Sequence, residues 1–497
     1  MSRLKLFTTN VGSVLMSRVA GNLLSFVTLP LFVSYFGGAR YGIFILAMSI
    51  TPSLALFDFG TKNALVRYTA EYMVDKDVAR YNTAVAGSVI MAGALGIVLS
   101  LIVFGLSFVA ESAFNIDAES ASEAIEVFQL AALYTFVFVV ARVSQSVLEG
   151  HQLFYWQSIN QFLALAVNLT VFFVVKYLGL SFLHFAALMM LGRLVPGVLN
   201  TVVVIRKKLL HGVSLRQGLS GKIVGTEFFH YSANLFVLQF IAFGAFQADK
   251  FVIGGILSTA AVTIYIVVTK PMYLIRMVSN QTLTVLAPAL AETNRSGDDR
   301  RLNSIMRRGN LALAILVFPM VALVVVFIQH FIDLWIGGVY SEYAFWGGVA
   351  SLTFLFSPFY GIAIKILHYT GKITIVRNVN FWAVLLNLTV SIVGTFYFGF
   401  GGVIIGSLIQ AVIQVPIFFR VMKAERGLGI SDLIPGLFWI NAAFVTLAGA
   451  VLFFAVREFN LNGWWEFLVA LGISTAILYS FGVWIMLKHQ LLSRDYA

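Results

Sequence analysis

Runs of apolar residues, each about 20 residues long or longer, recur along the whole chain between short polar segments. An α-helix of this length crosses a hydrocarbon layer about 30 Å thick. The runs are continuous, whereas the strands of a membrane β-barrel alternate apolar and polar residues. The pattern therefore predicts an all-α polytopic membrane protein with about 14 transmembrane helices.

The predicted spans fall into two groups of six and a final pair. The first six lie at roughly 11–36, 41–62, 82–110, 127–148, 157–177 and 182–205. The next six lie at roughly 223–248, 254–290, 309–332, 344–369, 378–398 and 402–422. The final pair lies at roughly 433–456 and 467–487.

An internal duplication explains this grouping. The tetrapeptide Asn-Leu-Thr-Val begins at Asn168 and again at Asn387, 219 residues later. Pro52 and Pro271 are also 219 residues apart, and a further proline pair has nearly the same spacing, although the chain has only 9 prolines. Repeats with an even number of spans share one orientation, which is a common construction of transporters with a site between the halves. We predict two parallel six-helix repeats, a lobe at 1–220 and a lobe at 221–430, followed by two additional helices and a tail at 431–497.

The charges are sorted by membrane side. The chain is 60% hydrophobic, only 11% charged, and carries a net charge of +11. Of its 33 Lys and Arg residues, 23 fall in or beside one set of alternate loops and 4 on the other side. The positive-inside rule therefore places both termini on the cytoplasmic side of the membrane. The basic loops indicate topology and not binding to nucleic acid, and the acidic loop at 111–126 is predicted to be external.

Several kinds of chemistry are disfavoured by composition. There is no cysteine, the 7 histidines lack metal-ligand spacing, and no hydrophilic loop exceeds about 20 residues. The first apolar run is too long for a cleaved signal peptide and has no cleavage site after it. We predict no catalytic residue, no metal and no cofactor.

Six cations remain inside predicted spans, where an isolated charge costs about 2.5–3.5 kcal/mol. They are Arg18, Arg142, Arg193, Lys270, Arg276 and Lys365. Three of these, Arg18, Arg142 and Lys365, lie near cytoplasmic ends, where snorkelling to the interface is the alternative interpretation. The other three lie deeper, and matching acidic residues are scarce, so we predict a cationic cavity for an anionic ligand such as a phosphate.

A second set of residues bears on coupling and movement. Asp58 and Asp249 lie near span ends and are candidates for ion coupling, and an Arg18–Asp58 ion pair is the alternative for the first cation. Pro52 and Pro271 lie inside spans two and eight, where proline leaves a carbonyl without its helical donor and kinks the helix. Such kinks suit helices that bend as a cavity opens, and static kinks used for packing are the alternative.

Short segments of the chain resemble a known family. The stretch 35–44 resembles the junction of the first two spans in Wzx-type polysaccharide flippases of the MOP exporter superfamily. So do 57–62 and 67–71 at the end of the second span, 249–250 after the seventh, and 335–337 after the ninth. The superfamily also contains multidrug MATE exporters and lipid II flippases.

The resemblance implies a transporter, in the inner membrane of a bacterial or archaeal cell, that turns an undecaprenyl-pyrophosphate-linked oligosaccharide from the inner to the outer leaflet. It implies that the six cations line the cavity for the pyrophosphate and that the two lobes work by alternating access. It also implies membrane lipids and a polysaccharide polymerase or export machinery as partners. We expect a monomer, with a coupling ion, H⁺ or Na⁺, unspecified because no deep carboxylate marks a site.

Two other functional classes are alternatives to a flippase. A MATE-type multidrug or cation exporter would favour deep acidic residues, and this chain has deep basic ones. A membrane polymerase or ligase acting on lipid-linked sugars would favour a long outer loop with catalytic groups, and the longest outer loop has only about 16–20 residues. A scaffold or receptor does not explain the duplication.

Overall fold

The computed structural model describes residues 3–54, 61–210, 212–216, 239–244, 247–286, 289–290, 292–293, 299–459, 461 and 463–488. Every regular element in these segments is a helix, and they contain no strand. The chain divides into two compact units, Met1–Thr263 and Ile264–Ala497.

The first unit contains nine complete helices. They are α1 (Arg3–Phe36), α2 (Gly38–Leu54), α3 (Thr61–Asp75), α4 (Val78–Ser107), α5 (Ala110–Ala113), α6 (Ala118–Gly150), α7 (Phe154–Leu178), α8 (Phe182–Arg206) and α9 (Ala248–Ile256) among the residues described there. Helix α10 (Thr259–Thr269) begins in this unit and ends in the next. One part of the core joins Leu65 of α3, Val85 of α4, Leu148 of α6 and Val204 of α8.

The second unit is built on one long helix. Its described helices are α11 (Met272–Val285), α12 (Asp299–Ile336), α13 (Gly338–Ser341), α14 (Ala344–Leu352), α15 (Ser357–Tyr369), α16 (Ile373–Phe398), α17 (Gly401–Arg426), α18 (Ile430–Leu433), α19 (Gly436–Glu458) and α20 (Trp464–Lys488). A 3₁₀ turn at Thr353–Phe356 joins α14 to α15. Phe318 of α12, Phe418 of α17, Phe438 of α19 and Leu478 of α20 meet in its core.

The helices confirm a multi-pass membrane protein. Within the described residues, 10 helices are long and apolar enough to cross a membrane, with Ala344–Tyr369 taken as one, and 11 if a bent pair is also one span. Spans one and two correspond to α1 and α2, which are not among these helices, and span seven lies mostly outside the described residues. The total of 14 therefore stays a prediction. The repeat boundary near residue 220 also lies outside the described residues.

Two helical segments differ from the hydrophobic pattern. Helix α3 follows span two, and it is too polar to be recognised as an apolar run in the sequence. The loop expected at 111–126 is mostly helical, because α5 extends to Ala113 and α6 already begins at Ala118. Glu119 and Glu123 lie in the first turns of α6, where the positive end of the helix dipole stabilises acidic side chains.

The repeated prolines act differently in the two units. Pro271 breaks span eight, since α10 ends at Thr269, α11 begins at Met272, and the two helices meet at a bend of 54°. Pro52 lies inside α2, two residues before its last residue. Span eight is therefore a broken helix, whereas the sequence predicted only a kink at Pro271.

Candidate functional site

The predicted cations occupy different helices. Arg142 lies in α6, Arg193 in α8, Lys270 at the break between α10 and α11, Arg276 in α11 and Lys365 in α15. Arg18 belongs to α1, but its side chain is outside the described residues, as is the whole of Asp58. The predicted ion pair between those two residues therefore stays untested.

Two of the cations meet on one aromatic ring. The ammonium nitrogen of Lys270 lies 5.8 Å from the centre of the Tyr273 ring, and the guanidinium carbon of Arg276 lies 5.9 Å from it. The i, i+3, i+6 spacing explains this, because residues three apart lie near one another on a helical surface. A ring face attracts each cation. The break at Pro271 thus carries two positive charges, which we call the Tyr273 pair.

The sequence on both sides of the Tyr273 pair lacks acidic residues. From Lys250 to Ala291 the chain has neither Asp nor Glu. Tyr273 is 37% exposed, and both cations are half-buried. Two positive charges on one ring repel each other. A lysine and an arginine held this close together present N–H donors of the type that bind phosphate oxygens.

Arg193 of α8 is a third accessible cation. Its guanidinium carbon lies 5.8 Å from the ring centre of Phe44, a buried residue of α2, and its charge acts on Tyr134 of α6. It has no ion-pair partner among the residues whose side chains are described, and the sequence from Gly150 to Thr226 has no Asp or Glu. A guanidinium on a ring face keeps its donor edge available for carboxylate or phosphate oxygens.

Arg142 faces a small cavity inside the first unit. The cavity has a volume of about 20 Å³ and is lined by Lys62, Ser88, Arg142 and Ser146 among others. The ammonium of Lys62 lies 3.1 Å from a carboxylate oxygen of Glu149. A cavity of this size holds about one water molecule and is too small for a pyrophosphate in this conformation.

Lys365 is half-buried in α15, and its charge acts on His368 one turn later. It has no ion-pair partner in the described part of the chain, and residues 343–424 contain no Asp or Glu. The structure does not bring Lys365 onto the ring that Lys270 and Arg276 share. It is therefore a separate positive position of the second unit.

Helix α9 carries Asp249 and Lys250 and packs on α2. The Lys250 ammonium donates to Gln247 Oε1 at 3.0 Å and to Ser49 Oγ at 3.3 Å. Asp249 is half-buried in the first turn of α9. The residue pair that resembled a family motif therefore fixes α9 to α2 through its lysine.

The predicted outer end of the first unit is closely packed. Arg40 donates to Glu123 through Nε at 2.6 Å and Nη2 at 3.0 Å, and this hydrogen bond raises the pKa of the Arg40 guanidinium above its ordinary value. Thr263 donates to the Gly38 carbonyl oxygen at 2.6 Å. Asn115 donates to the Gly255 carbonyl oxygen at 2.8 Å. The Thr263 bond holds α10 against α2, and the Asn115 bond holds α9 against the segment that follows α5. The sequence assigns both α9 and α10 to the second repeat.

Sequence reasoning missed the aromatic partners of the cations. The sequence does indicate Tyr273 as a partner, since it stands midway between Lys270 and Arg276 at helical spacing. The sequence does not indicate Phe44, because its pairing with Arg193 joins residues far apart in the chain. No group of three or more His, Cys, Asp or Glu side chains suited to a metal occurs in the part of the chain that the structure describes.

The fold is similar to that of several solved transporters. The lipid II flippase MurJ in an inward closed conformation matches with a TM-score of 0.75 and 13% identity, over 97% of this chain and 99% of that one. An inward-facing multidrug resistance MATE transporter of the MOP superfamily matches with a TM-score of 0.63 and 15% identity, over 81% and 95%. A MOP superfamily transporter from Pyrococcus furiosus, described by a reverse polarity of its binding pocket, matches with a TM-score of 0.52 and 15% identity, over 84% and 94%.

No curated protein matches this chain in sequence. A family model does match, under the description polysaccharide biosynthesis protein, and it covers residues 7–294. This match spans more than half of the chain, and the helical fold agrees with it. The chain belongs to the polysaccharide biosynthesis protein family.

Proposed function

We propose that this protein is a transporter that flips an undecaprenyl-pyrophosphate-linked oligosaccharide from the inner to the outer leaflet of the cell inner membrane. Its cations hold the phosphates of the head group while the lipid tail remains in the bilayer. Arg193, Lys270 and Arg276 are the principal contacts in this proposal, with Arg18, Arg142 and Lys365 as further positions along the path.

The Tyr273 pair is the observation that carries the proposal. Two cations on one ring at a broken helix form a site with a preference for an anion with several oxygens, and a pyrophosphate has that chemistry. Half-helix ends and exposed backbone at a break are common features of transporter sites. The match to a polysaccharide biosynthesis family points to a glycan as the transported group. A hydrophilic glycan is anchored in the membrane through a phosphate-linked lipid carrier.

The remaining features of the proposal follow from the sequence. The transporter has 14 spans in two parallel repeats plus a C-terminal pair, works by alternating access as a monomer, and has both termini in the cytoplasm. The Pro271 break and Pro52 supply places where helices bend, and Asp58 and Asp249 are candidates for coupling to H⁺ or Na⁺. A polysaccharide polymerase or export machinery receives the product, and the chain itself performs no covalent chemistry.

Export of surface polysaccharide in cells tests this proposal. Arg193→Ala and Lys270→Ala each remove a charged donor whose hydrogen bond contributes about 1.5–3 kcal/mol, so we expect a roughly tenfold or greater loss of export. The matched control is Lys176→Ala, which removes an exposed cation at the end of α7. Full export by both variants, at wild-type protein levels in the membrane, contradicts the proposal.

The multidrug exporter is the rival, because the fold is also similar to MATE transporters. Cationic drugs need acidic partners, whereas the segments that hold Arg193, Lys270 and Lys365 have none in sequence. Reconstituted protein that exports cationic dyes and leaves lipid-linked sugars in place supports the rival instead.

A further inference from the structure

A second basic site lies in the second unit, apart from the Tyr273 pair. A cavity of about 720 Å³ opens between the first turns of α12 and the segment that leads into α19. Its polar lining includes Arg300, Ser304 and Arg307, and its apolar lining includes Leu311, Leu428 and Leu437. The positive-inside rule places this end of α12 at the cytoplasmic face.

The two sides of the cavity have different chemistry. Arg300 and Arg307 are seven residues apart, so two helical turns bring both to one face of α12, with the hydroxyl of Ser304 between them. Both arginines are exposed, and neither has an ion-pair partner among the residues whose side chains are described. Leu428 and Leu437 lie across the cavity from them, and Leu311 of α12 lies one turn after Arg307. A charged rim beside an apolar wall matches a molecule with a phosphate and a hydrocarbon chain.

The wall of the cavity is held in place. Asn310 of α12 donates to the Leu433 carbonyl oxygen at 2.9 Å, which fixes the α18 turn against α12. The acidic side chain in the lining, Asp432, accepts a hydrogen bond from the Gly429 amide at 2.9 Å and thereby caps that turn. The carboxylate thus has a structural partner in the backbone, and the site is formed before any ligand arrives.

We propose that this cavity binds the phosphate head group of an anionic phospholipid from the cytoplasmic leaflet. Arg300 and Arg307 hold the phosphate, and one acyl chain lies along the half-buried Leu437, beside the buried Leu311 and Leu428. Basic pockets between membrane helices on the cytoplasmic side are suited to anionic lipid head groups. The cavity is also far larger than an inorganic phosphate, and a lipid head group with part of its acyl chain fills more of it. The site anchors the C-terminal helix pair to lipid and is independent of the transported substrate.

Lipid binding to the purified full-length protein tests the proposal. We expect phosphatidylglycerol to raise the melting temperature of the protein in detergent, and phosphatidylcholine and inorganic phosphate to leave it unchanged at equal concentration. Arg300→Gln combined with Arg307→Gln is expected to weaken phosphatidylglycerol binding about tenfold or more. The control, Arg420→Gln, removes an exposed arginine of α17 outside the cavity and is expected to bind as the wild type does.

Two results overturn the proposal. One is unchanged phosphatidylglycerol affinity in the double variant, measured on protein whose melting temperature without lipid equals that of the wild type. The other is stabilisation by inorganic phosphate equal to that by phosphatidylglycerol and lost in the double variant, which identifies a site for a soluble anion. Because binding is measured without transport, either result leaves the proposed flippase function unaffected.

Discussion

Gly42 of α2 and Thr259 of α10 pack so closely that a β-carbon on Gly42 would lie 1.9 Å from the Thr259 carbonyl oxygen. Only glycine permits this approach of the two backbones. The neighbouring Thr263–Gly38 hydrogen bond fixes the same pair of helices. The packing of α10 on α2 at the predicted outer end therefore depends on a residue without a side chain.

Gly42→Ala is expected to loosen this packing. The atom met by the added methyl group belongs to backbone, which yields only by moving a helix, and overpacking of this kind costs about 1–3 kcal/mol. The chain has no cysteine, so Ser49→Cys places a single thiol at a buried position beside Lys250. We expect Gly42→Ala to increase the labelling of that thiol by an impermeant maleimide added from outside.

Gly87→Ala is the control for this experiment, because a β-carbon on Gly87 of α4 would have no atom within 4 Å. It should leave the labelling rate unchanged. Equal labelling rates in the Gly42→Ala and wild-type backgrounds would show that the close approach does not hold the two helices together.

The duplicated tetrapeptide offers a matched pair of substitutions. Asn387 donates to Gln410 Oε1 at 2.7 Å and accepts from Ser391 at 2.8 Å, so its side chain joins α16 to α17. The side-chain amide oxygen of Asn168 (Oδ1) is buried without a hydrogen-bond partner among the described residues. Hydrogen bonds between membrane helices contribute about 0.6 kcal/mol on average and up to about 1.7 kcal/mol.

Asn387→Ala should therefore lower the melting temperature of the purified protein, whereas Asn168→Ala should have a smaller effect or none. Differential scanning fluorimetry in one detergent compares the two variants directly. A larger decrease in melting temperature for Asn168→Ala than for Asn387→Ala would contradict this expectation.

Sequence patterning predicted the helices well because membrane spans are local, continuous and apolar. The positions of Arg193 and Arg276 on helices also follow from the sequence, whereas the position of Lys270 at a break between two helices does not. Their ring partners do not follow in the same way, since Phe44 is brought to Arg193 by tertiary packing alone. Helix α3 was missed because polar residues dominate its surface, and the Gly42–Thr259 approach has no sequence signal beyond a glycine.

His151 makes the stability of the first unit depend on pH. It follows the end of α6, its Nδ1 lies 2.8 Å from the Val147 carbonyl oxygen, and its ring packs on Tyr72 and Tyr81. Burial lowers the pKa of the imidazole below its ordinary value of 6.5; the hydrogen bond to Val147 opposes this in part, and the charge of Lys76 adds to it. The unfolded chain then binds the proton more readily, so this contribution to stability is present above pH 6.5 and is lost as the pH falls below it.

Melting temperatures between pH 7.5 and pH 5.5 measure this effect. We expect His151→Gln to reduce the loss of stability over that range, while His184→Gln, at an exposed histidine of α8, leaves the loss as in the wild type. The same pH dependence in His151→Gln and the wild type would exclude His151 as its source.

Tyr273 should act through its ring and not its hydroxyl. Cation–π attraction contributes about 0.5–1 kcal/mol at accessible sites, so loss of the ring should weaken anion binding about two- to fivefold. Tyr273→Phe keeps the ring and should retain transport, whereas Tyr273→Leu should lower the apparent substrate affinity. Equal losses in both variants would point to the hydroxyl instead.

We expect Lys270 and Arg276 together to hold the phosphates of a lipid-linked oligosaccharide. The measurement is the rate at which purified protein in proteoliposomes moves undecaprenyl-pyrophosphate-linked oligosaccharide between leaflets. The Lys270→Ala and Arg276→Ala double variant should lose about a hundredfold in this rate, because two charged donors are removed, whereas Lys176→Ala should keep the wild-type rate. A wild-type rate in the double variant, with equal incorporation of protein, would show that these two cations do not hold the phosphates.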